Sequence, residues 1–386
     1  MSHLNVTHFR RQSFYALPEA HWKLLAAPPF NYLDTLVQAD EAIESNASLA
    51  REIVKHALTT FHNWSAVDES GEPVMPQEWI RVAKNSDVDK ARSTLRQFYR
   101  DWTAEGAQER AASYGPVLKA LQQERERTGG NRATPLKVLV PGAGLGRLVF
   151  DLACHGFEAE GNELSYHQIV ASNYILNNCE LAGQHTIYPW VHSFSNHLSR
   201  QNHLRGYKVP DVHPGTVLAE ALAAGSEGTM SMVASDFLCL YGDEFHRDSY
   251  DAVASVFFLD TAPNLIRYLS VIYSCLKPGG VLINVGPLLW HFEGHAPGTH
   301  GACNDDDGDG HQHSTSGIAD PGSFELTDDE VMALVESLGF VVEQRDTGFE
   351  APYIHDPEAM LKMVYRASSW VARKPSSMEH DAPVSR

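Results

Sequence analysis

The sequence predicts an α/β fold: a mostly parallel, twisted sheet covered by helices on both faces, preceded by an N-terminal helical region. Three observations lead there. The run Val138-Leu-Val-Pro-Gly-Ala-Gly-Leu-Gly-Arg147 takes a buried apolar strand into a glycine-rich loop and then into a helix. Beyond it, short apolar strand segments alternate with helical ones, which is the pattern of a parallel sheet with crossover helices. Before it, apolar residues recur at spacings of three and four, the period of helices that bury one face.

That helical spacing extends from about His8 to Ala120, in Leu33, Leu36 and Val37 and again in Ile53, Val54, Ala57, Leu58 and Phe61. The polar stretch Gln122 to Thr134 ends at Pro135, where a strand begins, so the expected boundary separates a helical region 1–134 from an α/β domain 135–375, with a tail 376–386. The expected elements of that domain begin with a strand at Lys137–Val140, a helix at Arg147–His155, a strand at Glu158–Gly161 and a helix at Tyr166–Leu181. Later strands are expected at Tyr250–Asp260, Val281–Val285, Phe340–Gln344 and Ser369–Ala372. About seventy residues separate Glu163 from Asp236, and their His, Ser, Asn and Pro content from His192 to Gly215 predicts irregular loops over the sheet edge. Gly294 to Gly322 contains Asn304-Asp-Asp-Asp-Gly-Asp-Gly-His-Gln-His313, too polar and glycine-rich to bury an apolar face, and is expected to be a disordered insertion. Its acids and histidines lack fixed ligand spacing, so no metal site is assigned.

Composition narrows the classes. With 49 acidic and 30 basic residues the formal charge is -19, which disfavours nucleic acid and anionic membrane surfaces as partners. The five cysteines are odd in number and lack Cys-x-x-Cys spacing, as expected of reduced thiols. No apolar run approaches spanning length and the first residues carry no apolar signal core. These features predict a cytoplasmic or nuclear protein.

The residues downstream of the glycine loop give it its meaning. Gly142, Gly144 and Gly146 let the backbone close on a ligand through conformations that glycine adopts cheaply. Glu163 ends the second strand, where a carboxylate can accept two ribose hydroxyls; the alternative is a solvated loop carboxylate. Asp236 is placed to accept an adenine amino group with Phe237 against the ring; the alternative is a helix cap before Phe237-Leu-Cys-Leu240. A dinucleotide loop would space its glycines G-x-G-x-x-G, whereas here the third arrives one residue early. With Asp251-Ala-Val and Lys277-Pro-Gly-Gly280 added, the chain resembles the class I, Rossmann-like methyltransferases that use S-adenosyl-L-methionine, whose sheet ends in an antiparallel strand.

A narrower resemblance is carried by Ser93-Thr-Leu-Arg-Gln-Phe-Tyr-Arg-Asp-Trp102, Leu139-Val-Pro-Gly-Ala-Gly-Leu-Gly-Arg-Leu148, Gly161-Asn-Glu163, Phe257-Phe-Leu-Asp-Thr-Ala262 and Gly286-Pro-Leu-Leu-Trp-His-Phe292. In this order the blocks resemble the carnosine N-methyltransferase family, which methylates a histidine imidazole. The resemblance implies that the N-terminal region contributes a lid over the cofactor, that Gln97 and Arg100 touch the cofactor, and that Val256 lines it. Gln97 and Arg100 lie three apart and share a helix face. It also implies that His291 and Tyr365 contact the substrate, a small histidine-containing dipeptide, and that the enzyme is a homodimer. Trp290 departs from the tyrosine common in that family.

Imidazole is already a competent nucleophile, so the catalytic need is orientation, plus a carboxylate to accept the other ring N–H and stabilise the developing positive charge. Asp260, at the carboxyl end of a strand, is the expected residue for that role, with a helix cap as its alternative. Two other functions stay open: methylation of a protein or peptide histidine, and a cofactor-binding scaffold without catalysis.

Overall fold

The computed structural model describes residues 4–62, 82–129, 134–297 and 322–376. The polar run Asn304 to His313 and the tail beyond residue 376 lie outside the described residues, and with them the expectation of a disordered insertion.

The chain divides into two compact units. One draws on the described residues of Met1–Gln108, Val170–Gly215 and Tyr353–Met363; the other on those of Glu109–Ile169, Thr216–Pro352 and Val364–Arg386. This departs from the single boundary at 134/135. The polar stretch there is a visible break in sequence, but compactness follows long-range contacts, and these recruit two later segments to the first unit.

The first unit holds most of the predicted helices. The helix Tyr32–His62 buries Ala39, Ala42 and Ile43 with Val6 and Val191. Its Asn46 side chain donates to the Tyr188 carbonyl (3.0 Å) and accepts the Tyr188 N–H (2.8 Å), a reciprocal pair that docks a backbone segment. The helix Asn85–Trp102 buries Phe98, Tyr99 and Trp102. It ends where the Thr103 hydroxyl donates to the Tyr99 carbonyl (2.6 Å) and accepts the Gly106 N–H (3.1 Å). Part of the stretch His192 to Gly215 expected as loops is ordered: with β1 (Lys137–Pro141) and β2 (Glu158–Glu163) in the other unit, β4 (Tyr207–Val209) pairs antiparallel here with β3 (His185–Ile187), which precedes that stretch, and Arg200–His203 forms a short helix.

The second unit is the predicted sheet. Its remaining strands are β5 (Thr229–Ala234), β6 (Tyr250–Val256), β7 (Leu276–Gly286), β8 (Val341–Pro352) and β9 (Val364–Arg373), in the order β5-β2-β1-β6-β7-β9-β8. The pairs from β5 to β7 are parallel, while β9 runs antiparallel to both β7 and β8. This is the class I methyltransferase plan. Central strands β1 and β6 are buried along nearly their whole length, as required when helices cover both faces. Edge strand β5 alternates between exposed and half-buried residues, which hides it from an apolar-run reading. The predicted strand Tyr250–Asp260 stops at Val256, because Phe257 leaves the extended region with φ +53. Among the described residues, no helix is long and apolar enough to cross a membrane.

Candidate active site

The site of the second unit is built at the carboxyl ends of β1, β2 and β6. After β1 the chain turns through Gly142 (φ +66) and Gly144 (φ +57) before entering the helix Arg147–Cys154. At Gly142 a Cβ would lie 2.7 Å from Phe258 Cδ2, so neither the conformation nor the space admits a side chain. The loop is tied to β2 from both sides: Ala143 N–H donates to the Asn162 carbonyl (2.9 Å), and Gly144 N–H donates to Glu163 Oε2 (2.9 Å). Glu163 is buried, and its Oε1 also accepts from Leu164 N–H (2.9 Å) and Ser165 N–H (2.8 Å). A solvated loop carboxylate is thereby excluded. Three of about four acceptor positions on Glu163 hold backbone N–H groups, so the side chain is fixed at the mouth of the loop.

Asp236 is the N-cap of the helix Phe237–Tyr241, its Oδ1 accepting the Cys239 N–H at 3.0 Å. The Phe237 ring is 4 % exposed and packs in the core against Tyr268 (centroids 5.6 Å, stacked) and Phe258 (5.6 Å, edge-on). Its side chain is thus committed to packing, and the backbone is what it can present to a ligand. Glu160 anchors this helix: one of its carboxylate oxygens accepts the Tyr241 hydroxyl (2.7 Å) and the Tyr250 hydroxyl (2.8 Å). Val256 is half-buried at the end of β6 opposite Val285.

Past β6 the chain makes the turn that holds Asp260. It lies in a short 3-10 segment, Leu259–Thr261, four residues beyond the strand end where it was expected. Among the described residues its carboxylate caps no helix. Instead Oδ2 accepts the Leu289 N–H at 2.8 Å, and its carbonyl accepts the His291 N–H at 3.0 Å. At 2 % exposure, burial raises the Asp260 carboxyl above its ordinary value, opposed by the Leu289 bond and by nearby His291. The His291 side chain itself is exposed. Trp290 holds this strap down, its Nε1–H donating to the Leu326 carbonyl (3.0 Å), and adopts φ +45. Tyr365, expected before the last strand, is the second residue of β9, and its ring faces that of Phe257 at 6.1 Å.

Phe257 is the residue that sequence reasoning passed over. A bulky side chain at φ +53 is strained, and strain of this kind persists where the surroundings fix the chain for a purpose. Nothing in Ser-Val-Phe-Phe signals a left-handed residue; only the paired strand, with Phe257 N–H on the Val285 carbonyl (2.9 Å), imposes it.

Gln97 and Arg100 belong to the first unit, on the helix Asn85–Trp102. Gln97 Oε1 is buried without a hydrogen-bond partner among the described residues, an acceptor left for something else. Arg100 donates through Nε and Nη2 to the two oxygens of Asp101 (2.7 and 2.9 Å), and its guanidinium lies 5.6 Å from the Tyr353 ring centre. Part of its fork is therefore already used by its neighbour.

Residues 77–376 match the family model described as carnosine N-methyltransferase. The chain is 36% identical over 370 residues to a carnosine N-methyltransferase of Schizosaccharomyces pombe, covering 95% of this chain and 90% of that one. It is 36% identical over 354 residues to carnosine N-methyltransferase unmet of Drosophila melanogaster, covering 87% and 69%. To the carnosine N-methyltransferase of Mus musculus it is 34% identical over 375 residues, covering 97% and 82%.

Proposed function

The chain belongs to the carnosine N-methyltransferase family, and on that premise we propose that it transfers a methyl group from S-adenosylmethionine to an imidazole nitrogen of a histidine-containing dipeptide such as carnosine. The observation that carries this reading is the buried Asp260 carboxylate, held by Leu289 N–H beside the His291 backbone at the ligand end of a parallel sheet.

The residues present fit the cofactor. S-adenosylmethionine has no phosphate and carries a ribose diol, an amino group and a positive sulfonium, so it calls for carboxylates and close backbone. Glu163 supplies a buried carboxylate beside a loop that a Cβ at Gly142 would obstruct. In the first unit, Gln97 Oε1, without a partner among the described residues, is an acceptor suited to an amino group. Asp236 and Val256 complete the set in the second unit, with the Phe237 backbone beside Asp236.

When bound, S-adenosylmethionine supplies an electrophilic methyl group on sulfur. The protein's part is to orient the acceptor ring. Asp260 accepts the N–H of the imidazole nitrogen that is not alkylated, which fixes the tautomer and leaves the other lone pair exposed. Its negative charge then stabilises the ring as it becomes cationic, in a dry setting where a fixed charge acts strongly. The Leu289 bond keeps the carboxylate from turning away. Phe257 and Tyr365 offer aromatic faces for a planar ring, and His291 lies on the same strap.

The test is mass spectrometry of purified protein with S-adenosylmethionine and carnosine, locating the added mass. Methyl on the imidazole ring is the expected product. Ring-methylated histidine found only in proteins of an added cell extract would overturn the dipeptide assignment and keep the reaction.

A further inference from the structure

The first unit holds a cavity of about 330 Å³ lined by none of the residues assigned above to methyl transfer. Arg96 and Ser93 of the helix Asn85–Trp102 line it, together with Trp190, Asn196, Tyr353 and Asp356.

Its wall carries a cation, Arg96, and an acid, Asp356, that the protein leaves incompletely matched; Arg92 stands behind Arg96, outside the lining. Arg92 and Arg96 stand one helical turn apart, and the Nε of each is buried without a hydrogen-bond partner among the described residues. Asp89 accepts from Arg92 Nη1 at 3.1 Å and reaches Arg96 only as a nearby opposite charge. Burial and the like charge of Arg92 pull the Arg96 guanidinium below its ordinary pKa, a sign that an anion beside it would be welcome. His192 gives no relief, since burial and the two arginines hold it near 4 and hence neutral. Asp356 is 6 % exposed, and the hydrogen bonds on its carboxylate come from neutral donors: Asn202 Nδ2 to both oxygens (3.1 Å each) and Glu358 N–H (3.0 Å).

We propose that this cavity binds the zwitterionic backbone of an amino-acid-like ligand, with its carboxylate on Arg96 and its ammonium toward Asp356. A cation and an acid in one wall suit a molecule with both charges, whereas a phosphate dianion would be repelled by Asp356. Trp190 and Tyr353 cover the apolar remainder. A dipeptide acceptor is such a zwitterion, so the identity of the ligand rests on the proposed acceptor.

The probe is β-alanyl-alanine, which has both charged termini and no imidazole to methylate, titrated calorimetrically into full-length protein saturated with S-adenosylhomocysteine. The unaltered protein binds it, and Arg96→Gln weakens it at least tenfold with the thermal midpoint preserved. Capping either terminus of the probe, by N-acetylation or by amidation, weakens binding to the unaltered protein by a similar factor. Capped probes that bind as tightly as the parent, or no binding at millimolar concentration, would overturn the proposal. So would unchanged affinity in a folded Arg96→Gln protein. If that variant does not fold, the capped probes decide alone. Product mass with carnosine reads the methyl transfer separately, so either idea can fail without the other.

Discussion

His291 donates its backbone N–H to the carbonyl of Asp260 at 3.0 Å, while the Asp260 carboxylate accepts from Leu289 two residues earlier on the same strap. The position of the acid and the path of the strap are therefore one geometric fact. A substitution at Asp260 can be chosen to alter charge while leaving that path in place.

Asp260→Asn is the substitution. The amide oxygen still accepts from Leu289, but the negative charge proposed to support a cationic ring is gone. We expect kcat to fall about 10²- to 10³-fold, the range seen when one preorganised electrostatic contact is removed, with the affinity for S-adenosylhomocysteine within about twofold. Steady-state kinetics and calorimetry check both numbers, and unchanged turnover would remove Asp260 from the mechanism.

The same variant should be more stable. Burial raises the carboxyl in the folded state, so folding favours its protonated form. That preference is fully present below the ordinary carboxylate value and is lost as pH rises through the raised one, leaving a buried charge at neutral pH. Asparagine has no such charge, and the midpoint at pH 7.5 should rise by about 2–4 °C, what about 1 kcal/mol gives in a domain of this size class. A lower midpoint at pH 7.5 would contradict the assignment.

Glu163→Gln tests the cofactor mouth. Both carboxylate oxygens accept backbone N–H groups, so the amide's NH₂ must face a donor at Gly144 or at Leu164 and Ser165. The expected result is a 10- to 100-fold rise in the dissociation constant for S-adenosylhomocysteine, about 1.4–2.8 kcal/mol. Unaltered affinity would show that Glu163 serves only the loop.

Acid should weaken the first unit. His203 Nδ1 lies 2.7 Å from Arg200 Nη1 and Nε2 lies 3.1 Å from the Val191 carbonyl, an arrangement that suits the neutral ring with its hydrogen on Nε2. Burial leads the causes that bring His203 down to about 4, and His192 is held at about 4 as well. The unfolded chain takes up these protons near pH 6.5 and the folded one does not, so stability present above that value falls as pH drops from about 6.5 to about 4. Thermal scans across this range should show the decline, and His203→Gln should flatten it. A slope identical in variant and parent would assign the acid sensitivity elsewhere.

What could be read from the sequence was what is local. Gly142, Gly144 and Glu163 belong to one short strand-loop-helix-strand unit, whose geometry is fixed within about twenty residues. Phe237 and Asp236 were harder, because a ring beside a site and a ring in the core share a sequence context. The contacts that separate them come from Phe258 and Tyr268 on other elements. Asp260 was recognisable as an acid after an apolar strand, yet the left-handed Phe257 that turns it out of the strand carried no signal. The pocket of Arg96 and Asp356 was out of reach altogether, since about 260 residues separate its two charges along the chain.

The segment Tyr353–Met363, which joins β8 to β9, also has a consequence for how the chain is made. It belongs to the first unit although the strands on either side belong to the second, and the polypeptide passes between the units five times. On a ribosome, neither unit can be finished before Met363 has emerged, so the early helices must wait as an incomplete core. Neither unit is a contiguous piece of the gene, and a nick within Tyr353–Met363 would release no intact half.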